Sequence, residues 1–314
     1  MMSVHIRNFG MTADSKEVHL YTLESVSGMR VSVTDLGGML QEVSVPDGKG
    51  GFIDVALGYD GASGYLRFGG SLGAIIGRNA NRIAGASFDL GGTTHRLANN
   101  DGENNIHSGP HVWRKRLWDV AEDPKDDPDG GASITFGLVS RDGDQGFPGA
   151  ADVRATYTLH PDWRLELALE AQVTKTTIVN LTSHAYWNLN GHASGSVLRH
   201  SFSLDADAYT PVGKGLIPTG EIAPVEGTPY DLRESTNFEN RLYALPDGLD
   251  TNFVLKNDER LEKVATLVGD ETGISMDLYT DAPGLQVYTG CGLKARGKGG
   301  AHYKAFDGVA LEPQ

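Results

Sequence analysis

Cysteine is almost absent: Cys291 stands alone among 314 residues. No internal disulfide framework can brace the fold, and the composition suits a reducing compartment. Long apolar runs are missing too, since no stretch approaches the roughly 20 residues of a membrane span. The opening MMSVHIRNFGMTADSKEVHL has no basic segment followed by an apolar one, so no signal peptide is expected. These absences predict a soluble, cytoplasmic protein. Basic residues are in deficit, 27 Lys and Arg against 41 Asp and Glu, for a net charge of −14. Such a balance argues against a nucleic-acid backbone or an anionic membrane as partner.

Sustained helical periodicity is also scarce. Short candidates cover Ser63 to Arg67 and Asn237 to Leu245, with no alternation of strands and helices around them. That excludes a doubly wound α/β fold. Several chemistries lack their signatures. No phosphate-binding G-x-x-x-x-G-K-[ST] loop occurs, and Gly69-Gly70-Ser71-Leu72-Gly73 is not followed by lysine. No dinucleotide fingerprint sits on a strand–turn–helix unit. His107 and His111 have a metal-like gap, but Pro110 lies between them without a thiolate or clustered carboxylates, so no metal site is expected. Ser183 beside His184 is no nucleophile–base pair, because neighbours on a strand point to opposite faces. No cofactor is expected, and any chemistry falls to side-chain acids and bases.

What is abundant is glycine: 41 residues, about 13% of the chain, against an average of about 7%. The glycines are dispersed, which implies many turns. Between them lie runs of period-two alternation, as in Val153–Leu159, Leu165–Val173, Ile134–Leu138 and Ile274–Leu278. Each reads as a strand with one buried and one wet face. The pattern predicts an all-β fold of antiparallel sheets packed face to face, in one domain spanning 1–314. All-β chains of this length are often a single unit. The polar run Asp123–Gly131 reads as a hairpin loop between strands at Leu117–Ala121 and Ala132–Val139.

Four islands place polar groups in apolar, strand-like context. They are Gly77–Gly85, with two arginines and two asparagines; Asn104–Gly109, with His107; Asn180–Gly191, "NLTSHAYWNLNG"; and Gly308–Gln314, with Glu312 after three apolar residues. Singly, each has a bland reading as a salt bridge, a satisfied core histidine or a wet strand face. Jointly they hold what proton transfer on a polyol requires. Amides and a guanidinium can hold hydroxyls in fixed directions. Imidazole titrates near neutrality, and a partly desolvated carboxylate can act as general base. On a strand, His184 and Tyr186 share a face, while Ser183, Ala185 and Trp187 point the other way.

The chain resembles the aldose 1-epimerase (galactose mutarotase) family over nearly its whole length. The resemblance rests on "GRNANRIAGASF" (Gly77–Phe88), "NNIHSGP" (Asn104–Pro110), "NLTSHAYWNLNG", the segment Asp205–Arg233, "GLDTNFVL" (Gly248–Leu255), "PGLQVYTG" (Pro283–Gly290) and "GVALEPQ", in family order. It implies a large antiparallel β-sandwich with only short helices, and an isomerase that interconverts α and β anomers of free hexoses such as galactose and glucose without a cofactor. It implies Glu312 as general base and His184 as general acid. Asn81, Arg82, His107, Tyr186, Asp250 and Gln286 would grip the sugar. It also implies a monomer or homodimer whose partner is a small aldose. A sugar-binding protein of the same fold, an epimerase for another aldose or a sugar phosphate, and a glycoside-processing enzyme using Glu312 with Asp250 are the alternatives. The chain departs from the family pattern at Thr251, where histidine is common after the aspartate, and at Ser108, where the family often has glycine after the histidine. Glu312 lies two residues before the last residue of the sequence, so it is expected in a terminus liable to fray.

Overall fold

A computed structural model describes residues 3–126 and 131–314. The alternating runs form strands as their pattern dictates. Ala151–Leu159 buries Ala151, Val153, Ala155, Tyr157 and Leu159 and turns the residues between them outward. It forms the third strand of an antiparallel meander made by Asp119–Asp126, Ala132–Ser140, Ala151–Leu159 and Leu165–Val173. A five-stranded sheet of Ser3–Met11, Glu17–Glu24, Arg30–Thr34, Met39–Pro46 and Phe52–Asp54 packs on this meander. Tyr21 meets Phe136 edge-on with centroids 5.5 Å apart, and the Tyr157 hydroxyl donates to the Gly38 carbonyl at 2.7 Å. The result is a β-sandwich, with the helix Ala62–Arg67 and a 3-10 turn at Phe238–Arg241 where the sequence predicts short helices.

The predicted hairpin loop at Asp123–Gly131 is too long. The first strand continues to Asp126, and Asp126 pairs with Ala132; residues 127–130 of the predicted loop lie outside the described residues. Pro124 is tolerated because this is an edge strand with register shifts between Val120 and Glu122 and between Glu122 and Lys125.

A six-stranded antiparallel sheet carries the site. Its order is Tyr186–Trp187, Val309–Pro313, Gly284–Tyr288, Asp250–Val254, Ala208–Tyr209 and Ala223–Pro224. The predicted fraying of Glu312 is not what the structure has. Val309–Pro313 is an interior strand between two partners, and Glu312 is 4% exposed. Beyond it, Gln314 and Gly284 exchange backbone hydrogen bonds at 3.0 Å. The main-chain ladders on both sides, rather than distance from the end of the sequence, fix this segment.

Candidate active site

Register brings the polar islands together. Tyr186 pairs with Ala310, Ala310 with Tyr288, Tyr288 with Asp250, Glu312 with Gln286, and Gln286 with Asn252. Directly paired residues share a face, and so do residues two apart on one strand. Tyr186, Tyr288, Asp250, Gln286 and Glu312 therefore stand on one face. The alternating residues Leu285, Val287, Val309, Leu311 and Phe253 enter the core on the other. Alternation thus separates chemistry from stability residue by residue.

The stretch predicted as one two-faced strand is split at Ala185. Thr182–His184 pairs with Ala74–Ile76, whereas Tyr186–Trp187 pairs with Val309–Pro313. The predicted faces survive the break. His184 stacks on Tyr186 with centroids 5.0 Å apart, and Trp187 packs against the core. His184 Nε2 lies 3.7 Å from Glu312 Oε1, and both side chains are almost fully buried.

His107 and Asn81 arrive from a two-stranded ribbon, Arg82–Ile83 with Asn105–Ile106. Asn81, His107 and Ser108 all take left-handed backbone, at φ 60°, 51° and 56°. This lets the main chains of Asn81 and His107 fold onto each other: His107 N–H donates to the Asn81 carbonyl at 3.1 Å, and Asn81 N–H to His107 Nδ1 at 3.2 Å. The Ser108 hydroxyl closes the turn by donating to the Asn79 carbonyl and accepting from the Asn79 N–H. Serine at this position is thus built into the ribbon. The ring of His107 meets that of His184 edge-on at 5.5 Å. Gly77, the first residue of the Gly77–Gly85 island, has no room for a side chain, because a Cβ there would lie 2.1 Å from the Trp113 ring.

A hydrogen-bond chain crosses the floor. Asn81 Nδ2 donates to Gln286 Oε1 at 3.1 Å, and Gln286 Nε2 donates to Asp250 Oδ1 at 2.6 Å. Arg82 is held by Asp101 at 2.8 Å, and its charge acts on both Asp250 and His107. Every residue that the resemblance nominated (Asn81, Arg82, His107, His184, Tyr186, Asp250, Gln286 and Glu312) is brought to this one site. Arg78, from the same island as Arg82, is not. It is fully buried and donates to the carbonyls of Pro148 and Gly149 and to Ser140, so it clamps loops. Tyr288 and Arg114 join the site unannounced. Tyr288 is legible afterwards as two residues beyond Gln286 on one strand. Arg114 sits in the 3-10 turn Trp113–Lys115, where no periodicity points to it.

Electrostatics set the proton inventory. Burial, with the charge of Asp250 adding, pushes the Glu312 carboxyl up to about 8. Burial, with the charge of Arg114, pulls His184 down to about 4. Burial and the charges of His184, Arg82 and Arg114 pull His107 down to about 3. Burial raises Asp250, against the opposing pull of Gln286 and Arg82. Between about pH 4 and 8 the Glu312–His184 pair holds one proton, on Glu312 when the site is empty. No cluster of three or more His, Cys, Asp or Glu suited to a metal ion occurs among the described residues, nor does a helix long and apolar enough to cross a membrane.

The fold that carries this polar floor and the buried Glu312–His184 pair has clear relatives. The family model for aldose 1-epimerase matches residues 19–314. The chain belongs to the aldose 1-epimerase family. The family's galactose mutarotase from Sus scrofa is 38% identical over 318 residues, covering 100% of this chain and 90% of that protein. The aldose 1-epimerase of Escherichia coli strain K12 is 34% identical over 312 residues, covering 97% and 88%. The crystal structure of galactose 1-epimerase from Lactobacillus acidophilus NCFM superposes with a TM-score of 0.87 at 27% identity, covering 100% of this chain and 90% of that one. An epimerase homologue from C. elegans gives 0.85 at 26%, with the same coverage. The face-to-face antiparallel sheets expected from alternation, and the large sandwich implied by the resemblance, are the fold shared with these solved relatives.

Proposed function

We propose that the chain interconverts the α and β anomers of free hexoses such as galactose and glucose, with Glu312 as general base and His184 as general acid. The observation that carries this reading is the buried Glu312–His184 pair, 3.7 Å apart, beside a floor of amides and a carboxylate. Glu312 takes the proton from the C1 hydroxyl. The C1–O5 bond breaks toward oxygen, and O5 takes a proton from His184. The aldehyde turns about C1–C2, presents its other face, and the same groups act in reverse. No redox change or foreign atom is involved, which suits side-chain acids and bases alone.

The single proton held by the pair is the count the reaction needs. Sugar hydroxyls that donate hydrogen bonds to Glu312 favour its carboxylate. Binding therefore moves the proton toward His184, the position from which ring opening starts. His107 has a different part. Its Nδ1 accepts from Asn81 N–H, so Nε2 carries the hydrogen, and the neutral ring is a donor aimed at a sugar oxygen. Asn81, Arg82, Tyr186, Asp250 and Gln286 hold the remaining hydroxyls and supply orientation.

We treat residues 1–314 as one domain, since a single core cluster takes residues from Tyr21 through to Leu311. We take the enzyme to be cytoplasmic, and a monomer or homodimer. Polarimetry on freshly dissolved α-D-galactose tests the activity. The protein should speed the approach to the equilibrium rotation without changing the mass of the sugar. A rate equal to the spontaneous one for galactose and glucose would leave a binding protein in place of an enzyme.

A further inference from the structure

Half of the main-chain polar groups of an edge strand point away from its one neighbour, so the edges of a sheet decide what it can join. The first edge strand of the meander, Asp119–Asp126, is blunted by Pro124, Lys125 and its breaks in register. The last, Leu165–Val173, is not. It contains no proline, glycine or lysine, and it pairs with Ala151–Leu159 over 9 residues without a register shift. Among the described residues, no strand pairs with its outer side.

The groups that face outward can be named. Thr174 N–H donates to the Ala150 carbonyl at 3.0 Å and His160 N–H to the Arg164 carbonyl at 2.8 Å, at the two ends of the pairing. Even-numbered residues of this strand therefore turn their main chain toward Ala151–Leu159. Leu165, Leu167, Leu169, Ala171 and Val173 turn theirs outward. The same residues carry the strand's apolar face. On the neighbouring strand that face is covered, with Val153, Ala155, Tyr157 and Leu159 buried. Here Leu165, Leu167, Leu169 and Ala171 are half-buried and Val173 is 43% exposed. A long apolar edge with a row of unpaired N–H and C=O groups is a template for another strand.

The strand complements itself. Two copies laid antiparallel about a two-fold axis at Leu169 set Leu169 against its counterpart, Leu167 against Ala171 and Leu165 against Val173. Every outward group then has a partner, and the apolar faces join. On the wet face, Glu166 meets Gln172 and Ala168 meets Glu170. Sliding the register by two residues opposes like charges: Glu166 meets Glu170 in one direction, and Glu170 meets its own counterpart in the other. A slide by one residue sets the outward groups against residues whose own groups are already used.

We propose that Leu165–Val173 is a homodimer interface, through which two copies of this chain join their meanders into one continuous antiparallel sheet about a two-fold axis at Leu169. A single strand pair buries little area, so the dimer belongs to the weak, concentration-dependent class. It is independent of the epimerase reading, because the site is carried by another sheet.

Sedimentation velocity over a range of protein concentrations tests it. The wild type should pass from monomer to dimer as the concentration rises, and the amides of Leu167, Leu169 and Ala171 should exchange with deuterium more slowly in the dimer. Ala168 is exposed in the single chain, so substitutions there leave the fold intact and read the register. Ala168→Glu faces Glu170 of the partner subunit and should weaken the dimer. Ala168→Lys faces the same carboxylate and should tighten it. Each change should be about twofold to thirtyfold, because the pair occurs twice across the axis. Leu169→Lys sets two like charges together on the axis and should abolish the dimer. A monomer at every concentration up to the solubility limit, or a dimer that responds alike to both charges at position 168, overturns the proposal.

Discussion

Glu312 should weaken the fold it serves. Its carboxyl ionises at 4.5 ordinarily and at about 8 here, chiefly because burial penalises its charge. For an acid raised in the folded state, the stabilising contribution is complete below pH 4.5 and is lost as the pH rises toward 8. At pH 7 the unfolded chain carries the charge and the folded one the proton. The 2.5 decades between 4.5 and 7, at about 1.36 kcal/mol each, make this cost roughly 3 kcal/mol. At pH 9 the whole interval from 4.5 to about 8 counts, for roughly 5 kcal/mol. Glu312→Gln keeps the shape and removes the titration. The variant should therefore melt with the wild type at pH 4 and pull ahead as the pH rises. At roughly 2 °C per kcal/mol for a chain of this size, the lead at pH 7 is about 6 °C. Differential scanning calorimetry of both proteins from pH 4 to 9 measures it. A constant difference across that range, or a variant that loses ground as the pH rises, would refute the idea that burial holds Glu312 protonated.

Three other outcomes follow from the same geometry. Because the active pair holds one proton, kcat/KM for galactose should be level between about pH 4 and 8 and fall outside that window; a rising limb near pH 6.5 would point to an unperturbed histidine instead. Gln286→Leu breaks the chain from Asn81 to Asp250 and should lower kcat/KM about tenfold to a hundredfold through lost positioning, which steady-state kinetics would detect. Gly77→Ala drives a methyl into the Trp113 ring and should cost about 2 kcal/mol or more by urea unfolding, while a neutral result would mean that this contact yields freely.

The sheets were legible in the sequence wherever one face is buried and the other wet, as along Ala151–Leu159, because alternation records burial directly. The register that aligns Glu312 with Gln286 and Tyr288 with Asp250 was not, since pairing between distant strands leaves no local mark. Residue types singled out the site islands, but His184 and Tyr186 could be read as neighbours only through strand periodicity. The break at Ala185, which gives each its own partner strand, is a tertiary matter. The end of the chain was misjudged for the same reason: closeness to Gln314 says nothing about the Gly284–Tyr288 strand that pairs with Glu312, or about the Tyr186–Trp187 strand that pairs with Val309 and Ala310. Arg78 and Arg82 look alike in "GRNANR", yet one clamps loops and the other faces the site. Only the positions of distant carbonyls and of Asp101 separate them.

The central claim is that Glu312 and His184 together open the sugar ring. Its most direct test is the polarimetric relaxation of freshly dissolved α-D-galactose with wild type, Glu312→Gln and His184→Asn, each first shown to be folded by its melting transition. The account predicts rapid relaxation with the wild type and a loss of at least about a hundredfold in kcat in each variant. Wild-type rates in either variant would contradict it and return that residue to a structural role.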